Sequence, residues 1–234
     1  RLTQSDNTSL CPQYSPDGKE IAFWENRSAL RVLNIKSGKV RTVMDGKYLF
    51  SYSDGDIDFS WSPDSKWLLA SYMGNGGWNS NDIALVDASG NGKIHNLTNS
   101  GYSDINARWV LGGKAMLFSS DRAGYRSHGS WGAEYDAYIM FFDLDAMEKF
   151  QMSKEERQLA KDNMTKKEKK EEEKKEKEEK KNEDTPKPVE VEPLELDLAN
   201  CRDRIIRLTV NSSNLGDAIL DKEGENLYYK AAFE

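Results

Sequence analysis

Two histidines are the residues around which a hydrolytic site in this chain would have to be built. His95 precedes Asn96-Leu97-Thr98 in a segment typical of a β-strand, and His128 stands in a loop between Ser127 and Ser130. Serine hydrolysis needs a nucleophile, a base that reaches it and an oxyanion site, and adjacency in sequence supplies no such geometry. The Gly-x-Ser-x-Gly turn of α/β-hydrolases does not occur in the sequence either. We therefore predict no catalytic residue in this chain and a structural role for His95.

An acidic segment, Asp54-Gly-Asp56-Ile-Asp58, has the opening pattern of a calcium-binding loop. The pattern then fails, because Phe59 occupies the sixth position, where the loop needs glycine, and Ser65 occupies the twelfth, where it needs glutamate. The last aspartate of the segment also has counterparts, Asn106 and Asp217, three residues before similar apolar anchors. We predict a recurring polar position on an inner strand near a central channel, with no metal site and no cofactor.

Two long loops carry the residue types that most often contact peptides or other proteins. They are Gly74-Asn-Gly-Gly-Trp78 and the segment from Arg122 to Glu134. The first lacks the Lys-Ser or Lys-Thr that would complete a phosphate-binding loop. Loops on a rigid scaffold commonly bind ligands, and tryptophan, tyrosine and arginine dominate binding hot spots. Packing of these loops onto the scaffold is the alternative. The candidates for peptide or partner contact are Trp78, Arg122, Tyr125, Arg126, His128 and Trp131.

Each of these loops follows a copy of a sequence motif that recurs four times in the chain. Clear copies begin at Tyr14 and Trp61, and weaker copies begin at Trp109 and Leu220. Tyr14 and Trp61 are 47 residues apart, and Trp61 and Trp109 are 48 residues apart. Each copy has an aromatic or leucine anchor, a tight turn that is Ser-Pro-Asp-Gly in the first copy, and an apolar strand. A period in the forties with several short strands is typical of β-propeller blades.

Each period contains signals for four strands, which is the number in a propeller blade. The anchor is expected to end the inner strand and to bury against the next blade, and a Leu-Thr pair closes the fourth strand at 97–98 and 208–209. The predicted fold class is therefore all-β, a propeller arc of about three whole blades plus half of another. Because the sequence opens and closes within a blade, we expect it to be part of a longer protein.

The third blade contains a charged insertion. Leu97 and Leu208 are 111 residues apart, about 64 more than one period. Ser153-Lys-Glu-Glu156 is a capping box that predicts the start of a helix. Every residue from Lys166 to Lys181 is lysine or glutamate, so this run has no apolar face. It is predicted to be a solvated helix or disordered. The alternative is an arm that docks onto a partner. We divide the chain into propeller blades at 1–146, the Lys/Glu-rich insertion at 147–195 and a propeller continuation at 196–234.

The composition argues against several classes of partner. A net charge of −7 argues against nucleic-acid binding as the function, since nucleic-acid-binding surfaces are basic. No apolar stretch of the sequence is long enough to span a membrane. Cys11 and Cys201 are too few for a disulfide framework and are predicted to be buried free thiols.

Three motifs together resemble the blades of TolB-type propellers. They are Ser15-Pro-Asp-Gly-Lys-Glu-Ile-Ala-Phe23, Ser119-Ser-Asp-Arg-Ala-Gly124 and the closing Leu-Thr pairs. The Lys/Glu-rich insertion and the stretch 196–209 narrow the resemblance to the N-terminal propeller of bacterial tricorn-protease homologues. The chain departs from the pattern at Val110-Leu-Gly-Gly113, which replaces the Ser-Pro-Asp-Gly turn, and in the fourth copy.

The resemblance implies a large serine peptidase in which propellers precede a PDZ-like domain and a catalytic domain. The catalytic serine and histidine would lie in those later domains, and the propeller would filter or channel peptides for them. The implied partners are peptides or unfolded polypeptide and the remaining domains of the same polypeptide, a homo-oligomer is left open, and the implied compartment is the periplasm, with the cytoplasm as the alternative. A stand-alone TolB-like binding propeller and the propeller of a prolyl-oligopeptidase-type peptidase are the alternative functions.

Overall fold

The computed structural model describes residues 6–49, 51, 53, 57–75, 77, 80–126, 132–163 and 191–232. These residues form three four-stranded antiparallel sheets and one two-stranded hairpin, which confirms the predicted propeller arc. Blade A comprises β1 (Ser9–Tyr14), β2 (Glu20–Glu25), β3 (Ala29–Asn34) and β4 (Val40–Met44). Blade B comprises β5 (Phe59–Trp61), β6 (Trp67–Tyr72), β7 (Asp82–Asp87) and β8 (Ile94–Asn96). Blade C comprises β9 (Asp104–Val110), β10 (Ala115–Ser120), β11 (Asp136–Phe141) and β12 (Ile205–Arg207), and the hairpin comprises β13 (Asn214–Leu220) and β14 (Leu227–Ala232).

The Ser-Pro-Asp turns between the first and second strands are closed by the same hydrogen bonds in blades A and B. The hydroxyl of Ser15 donates to Asp17 Oδ1 over 2.6 Å and accepts from the backbone N–H of Glu20 over 3.0 Å. Ser62 donates to the Asp64 carboxylate over the same 2.6 Å. In blade C, which lacks these side chains, 111–113 is a short 3-10 turn in which even Leu111 takes a positive φ of 52°. The degenerate copy thus keeps the turn through its backbone and two glycines.

The two seams between blades hold the apolar core, and here one prediction was wrong. The anchors Trp61 and Trp109 bury against the preceding blade rather than the next one. Trp61 Nε1 donates to the carbonyl oxygen of Gln13 in β1 over 3.3 Å, and Trp109 Nε1 donates to that of Ser60 in β5 over 3.2 Å. A buried indole N–H needs an acceptor. β1 and β5 are edge strands of their sheets, so some of their carbonyl groups point out of the sheet. The preceding blade therefore supplies the acceptor that each indole N–H needs.

The insertion begins with two helices, of which only the second was predicted. In α1 (Leu144–Gln151), Asp143 caps the N-terminus by accepting from the backbone N–H of Ala146 over 2.6 Å. Its apolar face covers blade C, where the rings of Phe150 and Phe141 lie 5.3 Å apart. The helix crosses the position at which we placed the boundary of the insertion, between 146 and 147, and that division of the chain stays a prediction.

The second helix, α2 (Lys154–Asn163), starts at the predicted capping box. The backbone N–H of Ser153 donates to Glu156 Oε2 over 2.8 Å, and the backbone N–H of Glu156 donates to the Ser153 hydroxyl over 3.2 Å. This reciprocal pair satisfies donors that the first helical turn leaves without partners. The Lys/Glu run from 166 to 181 lies outside the described residues.

The capping box should make the start of α2 sensitive to acid. The hydrogen bonds from the backbone and hydroxyl of Ser153 lower the pKa of Glu156. A depressed pKa in the folded state means that the stabilisation is present above the ordinary carboxyl pKa and is lost as the pH falls through the folded value. We expect an NMR titration of the Glu156 carboxyl carbon to give a pKa below the ordinary glutamate value. The variant Ser153→Ala should raise this pKa toward the ordinary value, and an unchanged pKa would contradict the assignment.

The insertion returns across the seam between blades B and C. The backbone N–H of Leu194 donates to Asp64 Oδ2 over 2.9 Å, and Leu196 and Leu198 pack into the core of this seam. Arg202 then donates through Nε to the carbonyl oxygen of Leu97 over 3.0 Å. These contacts fasten the returning chain to both blades.

The cysteines differ in their surroundings, which corrects one half of a prediction. Cys201 is buried, as predicted, but Cys11 is exposed and has a positive φ of 52°. It lies where the register of β1 against β2 shifts between Leu10 and Gln13, so a bulge turns this position away from the core. Within the described ranges, no helix combines the length and apolar character that crossing a bilayer requires.

Candidate functional site

The loops that follow the second strands and those that join successive blades emerge at the same end of the sheets. In blade C, Ser120 at the end of β10 pairs with both Asp104 and Asp136, so the start of β9, the end of β10 and the start of β11 lie side by side. Neighbouring blades are also joined here, since the backbone N–H of Asp104 donates to the carbonyl oxygen of Asn81 over 2.8 Å. We name the described residues of 45–49, 73–81, 97–103 and 121–135 the loop face.

Four buried carboxylates lie beneath the loop face, and sequence reasoning did not predict their burial. Each is at most 1% exposed; they are Asp82, Asp104, Asp121 and Asp136. A charge withdrawn from water is costly unless hydrogen bonds or opposite charges compensate for it. The partners of these carboxylates therefore determine how the loops above them are held.

Two of the carboxylates explain the recurring Leu-Thr pairs. The hydroxyl of Thr98 donates to Asp82 Oδ1 over 3.2 Å and accepts from the backbone N–H of Ile83 over 3.0 Å. Thr209 makes the same bridge in blade C, donating to Asp136 Oδ1 over 2.6 Å. Each pair thus ties the end of the fourth strand to the start of the third. The sequence signal that would have revealed this bridge is an aspartate at the start of both β7 and β11.

Arg122, one of the predicted contact residues, supports the loop from below. Its Nη2 donates to Asp104 Oδ1 over 2.8 Å and its Nε donates to Ser120 Oγ over 2.9 Å. The guanidinium carbon also lies 5.0 Å from the ring centre of Tyr138 and 5.3 Å from that of Phe118. These contacts hold Arg122 against strands of blade C and position the residues that follow it.

Arg126, the second arginine of this loop, lies closer to the surface. Its Nε is 2.8 Å from Asp121 Oδ2, and its guanidinium carbon is 5.2 Å from the ring centre of Tyr102. The other oxygen of Asp121 accepts from the backbone N–H of Ser103 over 2.9 Å. Tyr125 is 66% exposed beside it. The structure therefore brings Tyr102, Tyr125 and Arg126 to one surface.

Sequence reasoning did not select Tyr102, although it joins the predicted residues Tyr125 and Arg126. The available signal was weak, a single aromatic residue in the short connection between blades B and C. Three other candidates, Trp78, His128 and Trp131, lie outside the described residues. The assignment of contact residues therefore stays a prediction.

The hydroxyl groups of Tyr72 and Tyr135 also lie beneath the loop face, beside the buried carboxylates. Burial, and then the negative charge of Asp82, raises the pKa of Tyr72 to about 12. Burial also raises the pKa of Tyr135, against a hydrogen bond with the Ser103 side chain that lowers it. Both groups are therefore neutral near neutral pH and act as uncharged hydrogen-bonding groups.

The position predicted to be a recurring inner-strand residue joins two blades. Asn106 and Asp217 lie in β9 and β13, the first strands of their sheets, and Asp58 immediately precedes β5. Burial raises the pKa of Asp58, whereas hydrogen bonds from Ser71 and from the backbone of Asn106 and Ala107 lower it. Asp54 and Asp56, the rest of the calcium-like segment, lie outside the described residues. The described residues contain no cluster of potential metal ligands.

His95 lies on β8, the outermost strand of blade B, where it pairs with Leu85 of β7. Its ring centre is 6.4 Å from that of Trp67 in an edge-on arrangement. Burial, and then the charge of Lys93, lowers its pKa. In the described part of the chain no serine, threonine or cysteine is hydrogen-bonded to this imidazole, which here serves as a packing group.

Neither protein-family models nor curated proteins match the chain, but solved structures do. The tricorn protease covers 91% of this chain with a TM-score of 0.54 and 14% identity. TolB from Acinetobacter baumannii covers 60% with a TM-score of 0.44 and 28% identity, and a putative TolB from Agrobacterium tumefaciens covers 60% with a TM-score of 0.43 and 19% identity. The chain spans 18%, 31% and 47% of these three chains respectively, less than half of each. The match to the tricorn protease confirms the predicted fold, an arc of β-propeller blades similar to part of that protein.

Proposed function

We propose that this chain is a non-catalytic propeller segment of a tricorn-like serine peptidase. In this role it filters or channels peptides for a catalytic domain outside the chain. The observation that carries the proposal is the match in fold to the tricorn protease, which covers 91% of this chain. The remaining domains of the same polypeptide would be its permanent partners, and the periplasm its compartment.

The loop face is the surface that would meet the peptides. Tyr125 and Arg126 are available there, and Trp78, His128 and Trp131 belong to the same two loops. Arg122 contributes indirectly, because its ion pair with the buried Asp104 holds the start of the longer loop in place. A rigid scaffold that presents exposed aromatic side chains has the character of a peptide-binding surface.

Binding by this chain alone can be measured with a fluorescently labelled, permanently unfolded polypeptide. We expect Tyr125→Ala to weaken binding about threefold to tenfold, since an aromatic contact at a binding surface contributes about 1 kcal/mol. Tyr14→Ala is a matched control, because Tyr14 is 67% exposed and lies at the opposite end of blade A from the loop face. Equal effects of the two substitutions would contradict the placement of the binding surface.

The link to a peptidase is tested with the protein encoded by the complete reading frame. We expect it to cleave unstructured peptides and to lose this activity with a serine-directed inhibitor, while the present chain alone remains inactive. Binding by the chain without cleavage by the complete protein would favour a stand-alone binding propeller. Cleavage by the chain alone would overturn the proposal.

A further inference from the structure

The guanidinium of Arg126 is positioned by an ion pair at its Nε and by an aromatic ring against one of its faces. Asp121, which is fully buried, approaches its Nε, and the ring of Tyr102 covers one face. The side chain of Arg126 nevertheless remains 33% exposed. Among the described residues, no hydrogen bond is made by its two terminal nitrogens. A planar group is thus presented to solvent with its orientation already set.

The charge of this group is largely balanced from below. Asp121 lies at 2.8 Å from Arg126, just as Asp104 lies at 2.8 Å from Arg122. An anion approaching from solvent meets a guanidinium whose charge is offset by a buried carboxylate, so its attraction at long range is weak. The attraction of a guanidinium face for an aromatic ring acts only at contact, and the weak hydration of that face favours it.

We propose that the uncovered face of Arg126 binds an aromatic side chain of an extended polypeptide. The guanidinium would then lie between the ligand ring and Tyr102, with Tyr125 flanking the ligand and Asp121 acting as a positioning residue. This inference rests on the proposed function, since it names the side-chain class that the loop face selects. Unfolded polypeptides expose aromatic side chains that folded proteins bury, which makes such a contact a means of distinguishing them.

The test uses three labelled peptides that differ at one central position, which is tryptophan, leucine or glutamate. Their dissociation constants for this chain are measured by fluorescence anisotropy at low and at physiological ionic strength. We expect the tryptophan peptide to bind about two- to fivefold more tightly than the leucine peptide. This preference should not change with salt, because a contact interaction is screened little. Tighter binding of the glutamate peptide that disappears with salt would overturn the inference in favour of carboxylate recognition.

The variant Arg126→Lys keeps the charge but removes the planar face. We expect it to abolish the preference for tryptophan over leucine, measured as the ratio of the two dissociation constants for the same variant. Arg31→Lys is the matched control, since Arg31 also pairs with a carboxylate, Glu25 at 3.5 Å, but lies on blade A. A preference that survives in Arg126→Lys, or is lost in Arg31→Lys, would overturn the inference.

Two further variants separate positioning from contact. Tyr102→Leu and Asp121→Asn should both reduce the ratio of leucine-peptide to tryptophan-peptide dissociation constants, because each frees the guanidinium to leave its plane. If Asp121→Asn fails to fold, Tyr102→Leu and Arg126→Lys decide the question. Equal binding of all three peptides to the unaltered chain refutes this inference but leaves the proposed function standing. Failure of every peptide to bind refutes both.

Discussion

Replacing Trp61 by alanine is expected to lower the free energy of unfolding by about 4 kcal/mol, the typical cost of removing a buried aromatic side chain. Trp61 is buried in the seam between blades A and B, where it belongs to the same core as Trp24 and Leu68. The substitution removes this contact and leaves the carbonyl oxygen of Gln13 without the indole donor. The change would be measured by urea denaturation followed by circular dichroism, which does not depend on the tryptophan itself.

The variant Trp61→Phe separates the two contributions. It retains most of the apolar ring but removes the hydrogen bond to Gln13, so we expect a loss of about 1 kcal/mol plus a smaller packing term. An alanine variant no less stable than the phenylalanine variant would show that the ring does not hold the two blades together. A loss confined to blade A, detected by hydrogen exchange, would show that the blades unfold separately.

The second large effect is expected for Asp136→Ala, with a loss of about 3 kcal/mol. Asp136 is fully buried and accepts hydrogen bonds from Thr209 over 2.6 Å, Ser212 over 2.7 Å and Arg207 over 2.8 Å. Without the carboxylate, the hydroxyl groups of Thr209 and Ser212 lose their acceptor and Arg207 loses its counter-charge. Asp136 precedes the insertion in sequence and all three partners follow it, so the loss of these bonds should detach β12 from β11.

Two controls accompany this measurement. Asp136→Asn has nearly the same size and keeps one acceptor oxygen, so it should cost less than the alanine variant, although the charge and the second acceptor oxygen are lost. Glu148→Ala removes an exposed carboxylate from α1 and should change stability by no more than about 0.5 kcal/mol. If Asp136→Ala were as mild as Glu148→Ala, the buried network would not stabilise the fold.

The propeller was predictable from sequence because a blade is a local structure. Its strands are joined by short turns, so alternating apolar runs and a turn motif at a constant period specify four neighbouring strands. The capping box was predictable for the same reason, since Ser153 and Glu156 hydrogen-bond to each other within one helical turn. In contrast, the only clear sign in the sequence for the start of α1 is its capping residue Asp143. The helix is stabilised by packing of its apolar face on Phe141, a contact that exists only in the folded structure.

The candidate site was predictable only as a set of loops. The aromatic and arginine residues of the segment 122–134 predicted where peptide contacts would form. They did not predict that Asp104 would hold Arg122 below the surface while Arg126 remained accessible. Tyr102 joined the site although it lies 24 positions before Arg126. Such pairings depend on which strand ends lie side by side, and that is a property of the folded sheets.

The repeat, the strands within each blade and the start of α2 were predictable from the residue pattern, because they depend on interactions between residues close together in the chain. Three features depend instead on how the blades pack: the blade against which Trp61 and Trp109 lie, the hydrogen bonds of the Leu-Thr pairs to Asp82 and Asp136, and the accessibility of each arginine on the loop face. These outcomes arise from burial. Once packing excludes water, each indole N–H and each carboxylate must find a partner, and the partner that is available is set by the arrangement of the blades.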